Sequence, residues 1–141
     1  MSQTPSNIQS FHREEQAREL VDEVLNHAAS IEIRGELDSL LQHIHYDPKA
    51  FRKAVTEKQI FVRQLNDRGV LKSSRQWICK QLWQPGIESD VPVAPFQRVV
   101  LLVENCVYQF FFGESTFAVR IRSSENAHIE RQRFNHLWCA A

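Results

Sequence analysis

The chain has 141 residues, 43% hydrophobic and 24% charged, with 17 basic and 17 acidic side chains. That is the composition of a single globular domain, and the zero formal charge excludes nucleic-acid binding driven by net charge, leaving only a local basic face for such a role. No charged-then-apolar signal opens the chain and no apolar run approaches the ~18 residues of a membrane span, so the expected location is cytoplasmic, with no membrane partner.

Residues 1–9 are polar, with Pro5, Ser6 and Asn7, and read as a disordered leader before one α/β domain of residues 10–141. Ser10 is the expected cap of a first helix. In it Ala17, Leu20, Val21, Val24, Leu25 and Ala28 recur at helical spacing and give one buried stripe. Residues 30–34 alternate as a short strand. Residues 36–45 read as a helix with Leu37, Leu40, Leu41 and Ile44 turned inward. Asp47-Pro48 starts the next helix, Asp as the cap and Pro in the first helical position, and Phe51, Ala54 and Val55 form its apolar side. Residues 60–65 are a strand, and Asn66-Asp67-Arg68-Gly69 is turn chemistry. A helix is expected through Trp77, Ile78, Leu82 and Trp83, stopped by Pro85-Gly86, with a long loop over residues 84–95.

The most β-like stretch follows, FQRVVLLVENCVYQFFFGESTFAVRIR over residues 96–122. Val99, Val100, Leu101, Leu102 and Val103 are a continuous apolar run, as expected of a strand covered on both faces. Glu104-Asn105 is a two-residue turn into an aromatic strand over residues 107–112, and residues 113–115 turn again. Phe117, Val119 and Ile121 then alternate with Ala118, Arg120 and Arg122, one side apolar and the other basic. Ser123 or Ser124 caps a last helix whose buried face is Ala127, Phe134, Leu137 and Trp138. Helices between the early strands imply parallel crossovers, and the tight late turns imply antiparallel pairing. The expected fold is α/β, a single mixed β-sheet of about five strands flanked by helices on both faces.

No complete catalytic motif is present. His43-x-His45 with Asp47 is the densest ligand-like cluster, but residues two apart on a helix point about 200° apart, which suits one metal ion poorly. Neither a metal nor a cofactor is therefore expected. Cys79, Cys106 and Cys139 lack a CxxC spacing and read as free thiols of a reducing compartment. Arg34, Arg63, Arg98, Arg120 and Arg122 are the candidate binders of phosphate or carboxylate; the competing reading has them as strand-end arginines paired with Glu32, Glu104 or Glu114. Phe110, Phe111 and Phe112 must present both faces of one strand. Either helices cover both sides, or one side meets a second subunit.

Three stretches resemble a phospholipase-D-like domain, more narrowly the non-catalytic copies found in TrmB-type transcription regulators. They are EQARELVDEVLNHAASIEIRGELDSLL, then IFVRQLND, then the strand FAVRIRS with a helix closing on RFNHLW. The likeness covers roughly residues 12–141. Active members of that family open a strand with an H-x-K motif and close it with an acidic residue. The matching positions here are Phe96, Arg98 and Glu104, so the resemblance implies a domain that has lost phosphodiester hydrolysis, because phenylalanine cannot replace an imidazole as nucleophile. It also implies a regulatory or protein-interaction module, homodimeric or working beside a larger protein, since active members bring two half-sites together. Two alternatives remain. One is a metal- or histidine-dependent nuclease or phosphodiesterase built on His43 or His45. The other is a nucleic-acid-binding accessory protein that uses an arginine-lined sheet face.

Overall fold

The computed structural model describes residues 7–66, 73–81 and 96–141. In chain order the elements are β1 (Ile8–Phe11), α1 (Glu14–His27), β2 (Ser30–Arg34), α2 (Leu37–His43), α3 (Pro48–Glu57), β3 (Phe61–Asn66), β4 (Trp77–Gln81), β5 (Phe96–Val103), β6 (Cys106–Gly113), β7 (Phe117–Arg122) and α4 (Ser124–Ala140). One mixed sheet holds all these strands in the order β1-β7-β6-β5-β2-β3-β4. Helices α2 and α3 carry the chain from β2 to a parallel β3, and β4 extends that parallel half. From β5 onward every pairing is antiparallel.

The apolar run of β5 lies in mid-sheet and is covered twice. Val99, Leu101 and Val103 join Ile31, Ile33, Val62, Tyr108, Phe110 and Phe112 beneath α1, α2 and α3. Val100 and Leu102 face the other way, onto Val107, Ala127 and Phe134 beneath α4. The helix starts follow the expected chemistry: the Asp47 carboxylate accepts from the Lys49 amide at 3.0 Å, and the Ser123 hydroxyl accepts from the Asn126 amide at 3.2 Å. The β5–β6 turn is two residues long, with Glu104 at φ 47°.

The sheet has seven strands and not about five. The first addition is β1. Ile8 and Gln9 fall in the stretch read as a leader, and Ser10 sits in the strand, so the cap of α1 is Arg13, whose amide donates to Gln16 Oε1 at 3.2 Å. Four residues carry no legible period of their own. What orders them is the open edge of β7, where Ile8 pairs with Ile121 and Phe11 with Ala118. The second addition is β4, expected to be helical. Trp, Ile and Cys in succession suit a pleated surface, and parallel pairing places Trp77 beside Val62. Trp77 packs edge-on against Phe51 at 5.8 Å and donates from Nε1 to Gln64 Oε1 at 2.9 Å, while Ile78 faces the opposite side. Leu82, Trp83, the Pro85-Gly86 stop, the loop over residues 84–95 and the turn residues 67–69 lie outside the described residues.

Candidate anion site

The sheet brings two of the predicted arginines together at the carboxyl end of β2. β2 and β5 run antiparallel with Arg34 opposite Val100, so Arg34 and Arg98 project from neighbouring strands on the face covered by α4. Here the chain order reverses: β3 and β4 lie on one side of β2, and β5 lies on the other. Ligands of open α/β sheets gather at such switch points. The backbone around Arg34 is held tightly, with the Gly35 amide donating to Leu65 O at 2.9 Å and Gln64 Nε2 donating to Gly35 O at 3.0 Å.

Arg34, Arg98 and the α4 residue Arg133 ring a cavity of about 80 Å³, with Glu130 and Gln109 at its wall and Val100, Leu102 and Phe134 beneath. That is the volume of about three waters, enough for a phosphate, sulfate or carboxylate group and far below the several hundred Å³ of a drug-sized pocket. Arg133 is paired with Glu130 at 3.2 Å. Arg34 and Arg98 have no ion-pair partner among the described residues. Three guanidinium groups against one carboxylate leave a site with a net appetite for an anion. Sequence reasoning missed Arg133. The three-residue spacing of Glu130 and Arg133, one turn before Phe134 buries, was its only signal.

The other predicted arginines have different settings. Arg63 lies on the α4 face but is engaged: it is 3.5 Å from Glu32, donates to Asn135 Oδ1 at 2.9 Å, and stacks over Phe134 and Trp138. Arg120 and Arg122 are on the opposite face, because their strand alternates against Tyr108 and Cys106. Arg120 donates to Glu23 Oε1 at 2.6 Å and to Gln9, and Arg122 stands 3.7 Å from Glu23. The five arginines therefore do not share one basic face. Burial alone raises the Glu23 carboxyl, but hydrogen bonds from Tyr108 and Arg120 and the charges of Arg120 and Arg122 outweigh it and hold the group below its ordinary value. A larger cavity of about 500 Å³ lies beside this network, with Glu23, Glu104, His27 and Arg122 at its wall. Its charges are of both signs.

Phe110 and Phe112 are core residues under the chain's own helices, 0% and 4% exposed, which removes them from any subunit contact. Strand alternation puts Phe111 on the α4 face, half-buried and stacked on Phe117 at 4.6 Å. His43 and His45 diverge: His43 packs on Phe112, and His45 Nδ1 lies 2.6 Å from Glu14. Among the described residues no three His, Cys, Asp or Glu side chains are placed to share a metal ion. Burial pushes the Cys79 and Cys106 thiols up, so neither carries a reactive thiolate at neutral pH. Among the described residues no helix is long and apolar enough to cross a membrane.

No protein-family model and no curated protein matches the sequence. Solved structures match in shape, and they define the class: the chain has the phospholipase-D-like fold. Nuc from Salmonella typhimurium, a phospholipase D family member, superposes with a TM-score of 0.59 at 18% identity over 93% of each chain. NucT from Helicobacter pylori gives 0.60 at 10% identity over 93% of this chain and 94% of its own. TrmBL2, an archaeal chromatin protein described as showing a novel mode of DNA binding, gives 0.62 at 14% identity, over 99% of this chain and 55% of its own length. The chain thus spans about half of TrmBL2, whose presence among the matches agrees with the TrmB-type resemblance of the sequence.

Proposed function

We propose that this chain is a phospholipase-D-like binding module that holds an anion without hydrolysing it and serves in regulation, as a homodimer or beside a larger protein. The observation that carries the reading is the convergence of Arg34 and Arg98, both without an acidic partner among the described residues, on a cavity the size of one anionic group. The loss of catalysis rests on the resemblance. Phe96 and Arg98 stand where active members carry His and Lys, and a phenyl ring has no lone pair with which to attack phosphorus. The free cysteines, Cys79 and Cys106 half-buried and Cys139 exposed, fit a cytoplasmic setting.

The two competing readings have less support. A nuclease built on His43 or His45 has its imidazoles engaged elsewhere, His43 on Phe112 of the opposite sheet face and His45 on Glu14 of α1, and neither lines the arginine cavity. A nucleic-acid face built on Arg120 and Arg122 has Arg120 buried against Glu23 and its charge partly offset there, leaving Arg122 as the exposed cation. The test is a pair of measurements. Titration calorimetry with inorganic phosphate is expected to show binding that Arg34→Ala and Arg98→Ala each weaken about tenfold or more, the scale of a lost charge-assisted hydrogen bond. Incubation with bis(4-nitrophenyl) phosphate is expected to give no turnover. Hydrolysis by the wild type that disappears in Arg98→Ala refutes the non-hydrolytic reading. Light scattering gives the mass in solution.

A further inference from the structure

The cavity of about 500 Å³ lies on the other face of the sheet from Arg98 and at the other end of β5. Five residues of that strand separate Arg98 from Val103 at the cavity wall, roughly 16 Å at the usual rise. Cys106 and Tyr108 of β6, Glu23 and His27 of α1, Glu104 of the β5–β6 turn and Arg122 of β7 line it. A volume of this order suits a whole small molecule.

The lining leaves two charges of opposite sign unused. Glu23 is engaged, taking the Tyr108 hydroxyl at 2.7 Å and Arg120 at 2.6 Å. Arg122 stands 3.7 Å from Glu23, beyond hydrogen-bond reach, and its side chain is 61% exposed. The Glu104 side chain has no ion-pair or hydrogen-bond partner among the described residues. Glu104 also holds φ 47° in a two-residue turn, a place that Asn or Gly fills at less cost. Burial pushes the Cys106 thiol and the Tyr108 phenol up, so both are neutral at neutral pH and add no charge. Arg122 is the direct neighbour of Cys106 across the ladder, and Glu104 precedes Cys106 by two residues. The two unused charges therefore stand within the span of one small molecule.

This arrangement decides the occupant. An anion gains Arg122 but meets Glu104; a cation gains Glu104 but meets Arg122. A zwitterion gains both contacts and suffers neither repulsion. The cavity is larger than such a head group, and Val103, Cys106 and the Tyr108 ring offer apolar wall to the remainder. We propose that the site takes an α-amino acid with an apolar side chain, its carboxylate on Arg122 and its ammonium on Glu104. The inference does not rest on the anion-site reading, whose residues lie on the other face.

Titration calorimetry on the whole chain tests it with L-leucine and L-phenylalanine, each beside two analogues. 4-Methylpentanoate and 3-phenylpropanoate lack the ammonium; 3-methylbutylamine and 2-phenylethylamine lack the carboxylate. At least one amino acid is expected to bind, and both of its analogues about tenfold or more weakly, the scale of one charge-assisted hydrogen bond. Arg122→Ala is expected to weaken the amino acid by a similar factor and to bind it no better than the amine. Glu104→Gln is expected to bind it no better than the acid. Both positions are exposed, and thermal melts show that the variants fold. No binding of either amino acid at millimolar concentration overturns the proposal, as does binding that both variants leave unchanged. An acid that binds as tightly as its amino acid, and is lost in Arg122→Ala, reduces the cavity to a carboxylate site and overturns the zwitterion. Concentration-dependent self-association that Arg122→Ala abolishes assigns the cavity to a second copy and overturns the ligand.

Discussion

The carbonyl oxygen of Arg98 lies 2.7 Å from the point where a Cβ on Gly35 would stand, and Gly35 has φ +111°. Both facts require glycine. The backbone angle is one that side-chain-bearing residues rarely adopt, and the obstacle is backbone, which cannot swing aside. This close approach of β2 and β5 is what sets Arg34 beside Arg98. Gly35→Ala is expected to cost about 1–3 kcal/mol of stability, the range of a residue forced into a sparsely populated backbone region. It also pushes the two strands apart, so phosphate affinity should fall in the same variant. Urea unfolding and phosphate titration check the pair of effects; a variant as stable as the parent rules out the tight crossing.

Helix α4 is fixed to the sheet by polar contacts more than by an apolar stripe, since Ala127 and Phe134 are its only buried residues. Arg131 Nε donates to Glu32 Oε1 at 2.8 Å, and Lys80 Nζ donates to Trp138 O at 3.1 Å. Glu32 is 6% exposed, so removing its main partner leaves a buried carboxylate with Arg63 at 3.5 Å as its remaining cation among the described residues. Arg131 is itself 30% exposed at its side chain, which moderates the loss. Arg131→Ala is expected to destabilise by about 1–2 kcal/mol, between the values for exposed and buried pairs. The double variant with Glu32→Gln should recover part of it. Additive losses in that double-mutant cycle would show that the pair is not coupled.

Trp77 joins the edge strand β4 to the core through two contacts of different kinds. Its ring meets Phe51 and lies under the Arg52 guanidinium at 4.4 Å, and its indole N–H satisfies the buried Gln64 side chain. Trp77→Phe keeps most of the packing but leaves Gln64 Oε1 without that donor. A loss of about 1–2 kcal/mol is expected, since among the described residues the buried acceptor keeps only the weak Cys79 thiol at 3.9 Å. Gln64→Leu in the same background should lessen it. Amide exchange along β3 and β4 reports the local loosening directly.

Trp77 also shows where the sequence stops being legible. The central strands could be read because the run from Val99 to Val103 and the alternation of residues 117–122 each have one period and one interpretation. The helix start at Asp47-Pro48 is set by local chemistry, and so it appears where expected. The edge strands β1 and β4 have no such signature. Four and five residues hold too few repeats to separate a period of 2 from 3.6, and their state is decided by a neighbour's open edge. The site was half legible for the same reason. Arg34 and Arg98 are near strand ends whose pairing could be guessed, whereas assigning Arg120 and Arg122 to a face required the register of β6 against β7. Arg133 comes from a helix whose docking angle no spacing encodes.

Glu23 provides a pH-dependent check on the opposite face. Its carboxylate receives the Tyr108 hydroxyl at 2.7 Å and Arg120 at 2.6 Å, and together these hold its folded-state value below the ordinary 4.5. A carboxyl depressed on folding contributes stability that is complete above its unfolded value and is lost as pH falls through the lowered one. The parent should therefore lose stability from about pH 4.5 downward, and Glu23→Gln should show a shallower fall over that window. Tyr108→Phe sharpens the test. It deletes one donor and leaves the burial that works against the charge, so the Glu23 titration must move upward, as read from its side-chain carboxyl carbon by NMR. A Glu23 titration unchanged in Tyr108→Phe would mean that the arginines alone set it, and that the hydroxyl contributes packing and no charge stabilisation.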